Sequence, residues 1–501
     1  MGIVFRQSIK TSLVVFTGAF LGIIIMFLST RFIDKQALGF TRDLTYKALV
    51  FSQFCILGLN STMSVFIHKY QDVRKKLLLT FCILTPLLFA IMAVVPFYLL
   101  EPWVLHHFQP ADIPFIQRYY MLIPAYMTLF ILLVLLEQYL GTQMRVAVSS
   151  FMKEVVLRVV NIAIILLFAF GYVSLNFLII STVLIYLIPI IIYIIIALRI
   201  DSFGFSFKFG AFSKSEYKEL LHFSWYHFLL SLSITLMGYL DAIAIPLYDH
   251  SGFKSTAIYT TAVFFVSFMQ MPSKAMMTPT ITVLAQAVAN ADTAKAKDIF
   301  ARSSINVLLA TTFMAVMIIC NIGNALVFMN NGYTQVGLIF LILFIGRYVD
   351  LATGLNDAIL SITNYYKFSF YVSIIMIGIL FALIRQLVPI YGVYGAAWST
   401  SITLILFNIC KYFFVWKKLD MQPFSMNTIL VLIAGAVTLA AGYYFPNFLK
   451  GQGHMYIYTI ADAAMRGGII VAVYLAMLYW LKPSADLREY IASVKKNKRL
   501  F

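Results

Sequence analysis

The chain has 501 residues, of which 62% are hydrophobic and 11% charged, with a formal net charge of +17 and a mean hydropathy of +0.90. A water-soluble globule of this length has nowhere to put so much apolar side chain, so lipid is the solvent for most of it. The lysines and arginines come in short clusters between long apolar runs, which is the pattern of membrane orientation and argues against nucleic acid as a partner.

The first apolar run, Ser12 to Leu28, follows Arg6 and Lys10. It is long for the hydrophobic part of a signal peptide and no small-residue cleavage pattern follows it, so it reads as a retained first span. A span needs roughly 17 to 25 mainly apolar residues. That criterion predicts an all-α integral membrane protein of about fourteen transmembrane helices. They run approximately over 10–30, 45–67, 77–100, 116–140, 148–170, 173–198, 222–247, 256–284, 303–328, 335–357, 368–388, 392–416, 427–446 and 462–481. The apolar runs are interrupted around 330 and 357. Cys55, Cys82, Cys320 and Cys410 each sit inside an apolar run without metal-ligand spacing, and read as buried thiols.

Charge tests the connections. One alternating set holds Arg6 and Lys10, then Lys69, Arg74, Lys75 and Lys76, then Arg145 and Lys153, then Arg199, Lys208, Lys214 and Lys218. It continues with Lys295, Lys297 and Arg302, with Lys367, with Lys411, Lys417 and Lys418, and with the tail residues Lys482, Arg488, Lys495, Lys496, Lys498 and Arg499. The other set holds only Arg31, Lys35, Arg42, Arg118, Lys254, Arg385 and Lys450. This asymmetry predicts an even number of spans with both termini in the cytoplasm.

The longest clearly polar connection, about Arg199 to Glu219, divides two blocks of six spans. The predicted organisation is an N-lobe over 1–200, a cytoplasmic inter-lobe loop over 201–219, a C-lobe over 220–420, and two further spans with a basic tail over 421–501. The two blocks open alike, with "RFIDKQALGFTRDLTYKALVFSQF" after span one and "IPLYDHSGFKSTAIYTTAVFFVSFM" after span seven. Each has a short outer loop with Gly-Phe (Gly39-Phe40, Gly252-Phe253), then a small polar stretch and an aromatic-rich span. Copies of six spans share one orientation, which is the parallel-repeat layout of several transporters.

Three stretches carry a family resemblance. "PIYGVYGAAWSTSITL" (Pro389 to Leu404) resembles the Y-G-x-x-G-A-A stretch of polysaccharide flippases in the MOP (multidrug/oligosaccharidyl-lipid/polysaccharide) exporter superfamily. "MGYLDAIAIPL" with the proline-containing span after it resembles that superfamily's second-lobe opening, and "GRYVDLATGLNDAILSITNYY" resembles span ten of bacterial polysaccharide-export members. The resemblance implies two six-span pseudo-symmetric lobes around a central cavity, alternating access, a place in the bacterial inner membrane, and a lipid-linked glycan or a small drug as cargo. Lipid II flippases carry an Arg-Asp pair in span one where this chain reads "FLGIIIMF", which disfavours a peptidoglycan precursor.

Ionisable residues at mid-span are costly, at roughly 2.5 to 3.5 kcal/mol each on insertion scales, and call for a partner or a wet cavity. Arg347, Asp350, Gly354 and Asp357 share one helical stripe of span ten. Either Arg347 and Asp350 neutralise each other, or the stripe faces a cavity where Arg347 meets an anionic headgroup. Glu154, Arg158 and Asn161 in span five pose the same choice. Lys47 in span two and Lys274 in span eight occupy comparable places in the two repeats. Neither is assigned an acid, since Asp43 is placed at the membrane edge, and Lys274 sits between Pro272 and Pro279 where a kinked helix lines a cavity. An anionic ligand is one explanation of such lysines, and snorkelling to an interface is the other. Asp241 lacks a basic residue at i±3 or i±4, so it either carries a proton or cation or accepts a hydrogen bond from a neighbouring helix. Glu137 in span four is similar. Arg466 and His106-His107 read as interface residues.

The leading reading is a flippase for a lipid-diphosphate-linked oligosaccharide, with Lys47, Lys274, Arg347 and Arg158 toward the substrate and Asp241, Asp350, Asp357 and Glu137 toward a coupling ion, H⁺ or Na⁺. No other cofactor or metal is expected. Membrane lipids and polysaccharide-assembly proteins are the further candidate partners. A cation-coupled multidrug exporter of the same fold is the alternative, but cationic cargo would want an acidic cavity. A membrane glycan-processing enzyme is disfavoured: there is no D-x-D, no H-x-x-x-H, and no large outer loop.

Overall fold

The computed structural model describes residues 2–200, 203–330, 332–363, 365–446 and 455–489. Lys450 and the tail cations Lys495, Lys496, Lys498 and Arg499 lie outside them, as do the side chains of Arg6 and Lys10. Every regular element among the described residues is helical, as lipid requires, since it offers no partner to a backbone N–H or C=O.

The helices pack as two compact units, residues 1–260 and 261–501. The first contains α1 (Gly2–Phe32), α2 (Lys35–Ile56), α3 (Leu59–Phe66), α4 (Asp72–Leu105), α5 (Ile113–Tyr119), α6 (Leu122–Thr142), α7 (Val146–Phe151), α8 (Leu157–Ala169), α9 (Leu175–Leu184), α10 (Leu187–Leu198) and α11 (Lys214–Tyr248). Helix α12 (Phe253–Met269) contains the division. The second contains α13 (Met271–Ala289), α14 (Thr293–Val327), α15 (Val336–Ala352), α16 (Asn356–Ile362), α17 (Tyr366–Tyr391), α18 (Val393–Leu419), α19 (Met426–Tyr443) and α20 (Met455–Leu481).

Among the described residues nine spans are long and apolar enough to cross a membrane, or eleven if the bent pairs α2–α3 and α15–α16 each count as one. The three further spans expected from sequence fall on α1, apolar over Thr17–Phe32, on α12, and on α7–α8, which are joined by a π-helical turn at Met152–Val156. Length and composition therefore yield nine to eleven spans, although a helix stands at each of the fourteen expected places.

Two of the interrupted spans bear on the candidate site. The span predicted over 256–284 breaks at Gln270, because Pro272, in the first turn of α13, has no N–H to continue the preceding helix. The stripe predicted along span ten breaks between Ala352 and Asn356 with a 46° bend. Gly354 there has φ +70°, and a Cβ on it would overlap the Ser304 hydroxyl of α14, so glycine satisfies both the left-handed backbone and the close crossing.

In the first unit, Leu44, Met63, Leu78, Ile131, Tyr139 and Tyr193 form a buried core between α2, α3, α4, α6 and α10. Residues 203–213, part of the predicted inter-lobe loop, are tied to α4: Arg74 donates to the Ala211 carbonyl at 3.0 Å and pairs with Glu216 at 2.6 Å, and Thr80 accepts from the Ser206 N–H at 2.8 Å. Ser213 and Glu216 form a capping box that starts α11. In the second unit Arg466 corrects its sequence assignment. It is buried rather than interfacial, paired with Asp462 at 3.2 Å and donating to the Gly442 carbonyl at 2.6 Å, while Asn324 donates to Asp462 at 2.6 Å. This network joins α14, α19 and α20.

Candidate functional site

Each unit holds a polar cavity. That of the second unit, about 160 Å³, is lined by Gln270, Ser273 and Lys274 from the first turn of α13 and by Asp350, Gly354 and Asp357 around the α15–α16 break. Lys274, Asp350 and Asp357, widely separated in sequence, thus share one space. A helix N-terminus and an ammonium reach it together, and both favour an anion.

The two carboxylates already have cations. Asp350 pairs with Arg347 at 3.0 Å and accepts from Asn408 Nδ2 at 3.0 Å, and Asn408 in turn accepts from Thr353 at 3.0 Å. The self-neutralising Arg347–Asp350 pair of the sequence reading is therefore present. Arg347 nonetheless keeps its Nε–H buried without an acceptor among the described residues, and a buried charged donor left so is costly. Asp357, past the break, is held by Lys411 Nζ at 2.8 Å to both oxygens. Lys411 was read as part of a charged connection; it is instead wholly buried, with its ammonium 3.5 Å from the centre of the Phe407 ring. Its partner lies far away in sequence, and no local signal announced the pair. Lys274, Arg347 and Lys411 thus stand against Asp350 and Asp357.

The cavity of the first unit, about 370 Å³, is lined by Arg42, Lys153, Glu154, Arg158 and Asn161 together with the hydroxyls of Ser29, Thr41, Thr45, Tyr126 and Tyr186. The π-helical turn places Lys153 and Glu154 at its wall. Arg158 pairs with Glu154 at 2.6 Å and donates to the Gly18 carbonyl, tying α8 to α1. Glu137 is not a lone carboxylate: it pairs with Lys153 at 3.1 Å.

Lys47 requires a correction. Asp43, placed at the membrane edge by the sequence reading, is buried and pairs with Lys47 at 2.5 Å, and the ammonium lies 4.5 Å from the centre of the Phe108 ring. Asp241 is buried and accepts from the Tyr259 hydroxyl at 2.5 Å and the Ala242 N–H at 2.7 Å, so the hydrogen-bonded arrangement is the one observed. The two Gly-Phe motifs meet: a Cβ on Gly39 would overlap the Phe253 carbonyl, and the Phe40 and Phe253 rings are 5.3 Å apart, edge to face.

A family model described as polysaccharide biosynthesis protein matches residues 4–287. The chain belongs to the polysaccharide biosynthesis protein family. Its fold is that of the MOP superfamily. The solved structure of the lipid II flippase MurJ in an inward closed conformation superposes with a TM-score of 0.72 at 14% identity, covering 94% of this chain and 98% of that one. An inward-facing multidrug resistance MATE family transporter of the MOP superfamily gives 0.62 at 11% identity, over 82% and 98%. A MOP superfamily transporter from Pyrococcus furiosus, described by the reverse polarity of its binding pocket, gives 0.53 at 13% identity, over 83% and 96%. No curated protein sequence matches the chain. With nine to eleven helices among the described residues long and apolar enough to cross a bilayer, the chain is a multi-pass membrane protein.

Proposed function

We propose that this family member is a flippase that moves a lipid-diphosphate-linked oligosaccharide across the bacterial inner membrane by alternating access, with both termini in the cytoplasm. The observation that carries the reading is the buried, acceptor-less Nε–H of Arg347 beside a cavity that already presents Lys274 and the N-terminus of α13. A phosphate oxygen is the acceptor that suits both a guanidinium and a helix start. Arg42 and Arg158 also line the first unit's cavity, Arg158 in its pair with Glu154. The chain acts as a transporter rather than an enzyme, with membrane lipids around it and polysaccharide-assembly proteins as partners. H⁺ or Na⁺ is the coupling ion, with Asp241, Asp350, Asp357 and Glu137 as its carriers. The basic lining of the first unit's cavity, Arg42, Lys153 and Arg158 against Glu154, argues against a multidrug exporter of cationic compounds, despite the shared fold.

Replacing Lys274 or Arg347 with alanine is expected to abolish surface glycan export and accumulate the lipid-linked intermediate, with the protein still in the membrane. Lys274→Arg is expected to be milder, since charge is kept but headgroup geometry changes. Normal export in both alanine variants would assign the two residues to packing. Loss of resistance to cationic drugs with intact glycan export would favour the exporter.

A further inference from the structure

The first unit has a second space, of about 300 Å³, where the end of α5 and the start of α6 meet the first turns of α9. Arg118, Tyr119, Met121, Leu122, Asn176 and Ile180 line it, and none of them lines the larger cavity of that unit. Tyr119 is its fixed part. The side chain is buried, with its ring 5.7 Å from that of Phe40 and 5.4 Å from that of Phe115. Its hydroxyl donates to Asn176 Oδ1, which leaves the Asn176 amide N–H groups for a ligand. The Arg118 guanidinium lies 5.7 Å from the centre of the same ring. Arg118 is exposed and has neither a hydrogen bond nor an ion pair among the described residues. The polar part of the lining is therefore made of donors: a guanidinium, an amide, and the N-terminal turn of α9 to which Asn176 belongs. No carboxylate lines the pocket.

We propose that this pocket binds the phosphodiester of an anionic phospholipid, with Arg118 and Asn176 on the phosphate oxygens and an acyl chain along α9. Two observations set the depth and the track. Tyr98 and Trp103 near the end of α4, and Phe170 and Tyr172 just before α9, are exposed aromatic side chains at the same end of the helices as the pocket. Such rings settle at the headgroup level of a bilayer. From the pocket, Phe177, Ile180 and Leu184 continue along α9 as an exposed apolar stripe at i, i+3, i+7 spacing. A free phosphate would use the donors and leave Met121, Leu122 and Ile180 in water, whereas a lipid covers both. A headgroup amine would find no carboxylate here, so phosphatidylglycerol suits the lining better than phosphatidylethanolamine. The site is separate from the proposed cargo path and does not depend on what the cargo is.

The test titrates the purified full-length chain in detergent micelles with phosphatidylglycerol or phosphatidylethanolamine of the same acyl chains. Native mass spectrometry counts the lipids retained. The wild-type chain is expected to keep one phosphatidylglycerol in preference to phosphatidylethanolamine. Arg118→Met is expected to weaken that site about tenfold, the loss that goes with one charge-assisted hydrogen bond. Asn176→Ala should weaken it less. Arg118→Lys keeps the charge and should keep the preference, at lower affinity, because an ammonium cannot pair with two phosphate oxygens as a guanidinium does. Arg385→Met is the control: Arg385 is exposed on α17 and lines none of the three cavities, so its loss should change nothing. Inorganic phosphate alone is expected not to displace the lipid, and displacement would make this a site for a free anion and overturn the lipid assignment. No preference between the two lipids in the wild-type chain would overturn the anionic headgroup. Unchanged retention in Arg118→Met, or an equal loss in Arg385→Met, would overturn the pocket as the binding site.

Discussion

Lys411, wholly buried in α18, gives its ammonium to both carboxylate oxygens of Asp357 at 2.8 Å, while the Asp357 side chain is 58% exposed. The pair is asymmetric, and its removal is expected to be so. Asp357→Ala strands a buried cation and should cost about 3 kcal/mol, the low end for a broken buried pair because water reaches the carboxylate. Asp357→Asn with Lys411→Met removes both charges and should recover most of that loss. Thermal unfolding in detergent checks the order; equal shifts for Asp357→Ala and the double variant would show that the ammonium finds water unaided.

Gly39 has no room for a side chain against the Phe253 carbonyl, whereas a Cβ on Gly238 in α11 would meet nothing within 4 Å. Gly39→Ala should therefore destabilise by about 2 kcal/mol through overpacking. Gly238→Ala should be neutral or slightly stabilising, by up to about 1 kcal/mol, since alanine is the better helix former. Equal melting temperatures for the two variants would mean that α2 and the start of α12 separate at little cost.

The Arg466–Asp462 network joins α14, α19 and α20 through a buried ion pair, with the half-buried Asn324 donating to it from α14. Arg466→Ala is expected to cost about 3 kcal/mol, since it leaves Asp462 and the Gly442 carbonyl without their donor. Limited proteolysis should then cut between α19 and α20 faster than in the wild-type chain. An unchanged cleavage rate would assign the anchoring of these two helices to apolar packing alone.

Reporter fusions after Lys76, Lys218 and Lys418 are expected to report the cytoplasm, and fusions after Asp249 and Lys450 the far side. The expectation follows from the clustering of lysine and arginine in alternate connections. A single site reporting the opposite compartment would break the pairing of spans.

What the sequence determined by itself is whatever depends on neighbours along the chain. Runs of apolar residues decide where helices lie, because burial of a span is a property of roughly twenty consecutive side chains. The Gly-Phe repeats, the proline-flanked Lys274 and the paired spacing of Arg347 with Asp350 were legible for the same reason. Partners across the fold were not. Lys411 looked like one of a cluster with Lys417 and Lys418 until α16 brought Asp357 to it. Arg466 looked interfacial until α14 and α19 closed over it. Asp43 stood at the right spacing from Lys47 throughout, but its depth, and hence the existence of a buried pair, depends on how helices pack around α2. Hydropathy is a local sum and reads from the chain; the environment of a charge is set by groups tens of residues away, so only the tertiary structure decides which charges are neutralised, and which still present a donor to a ligand.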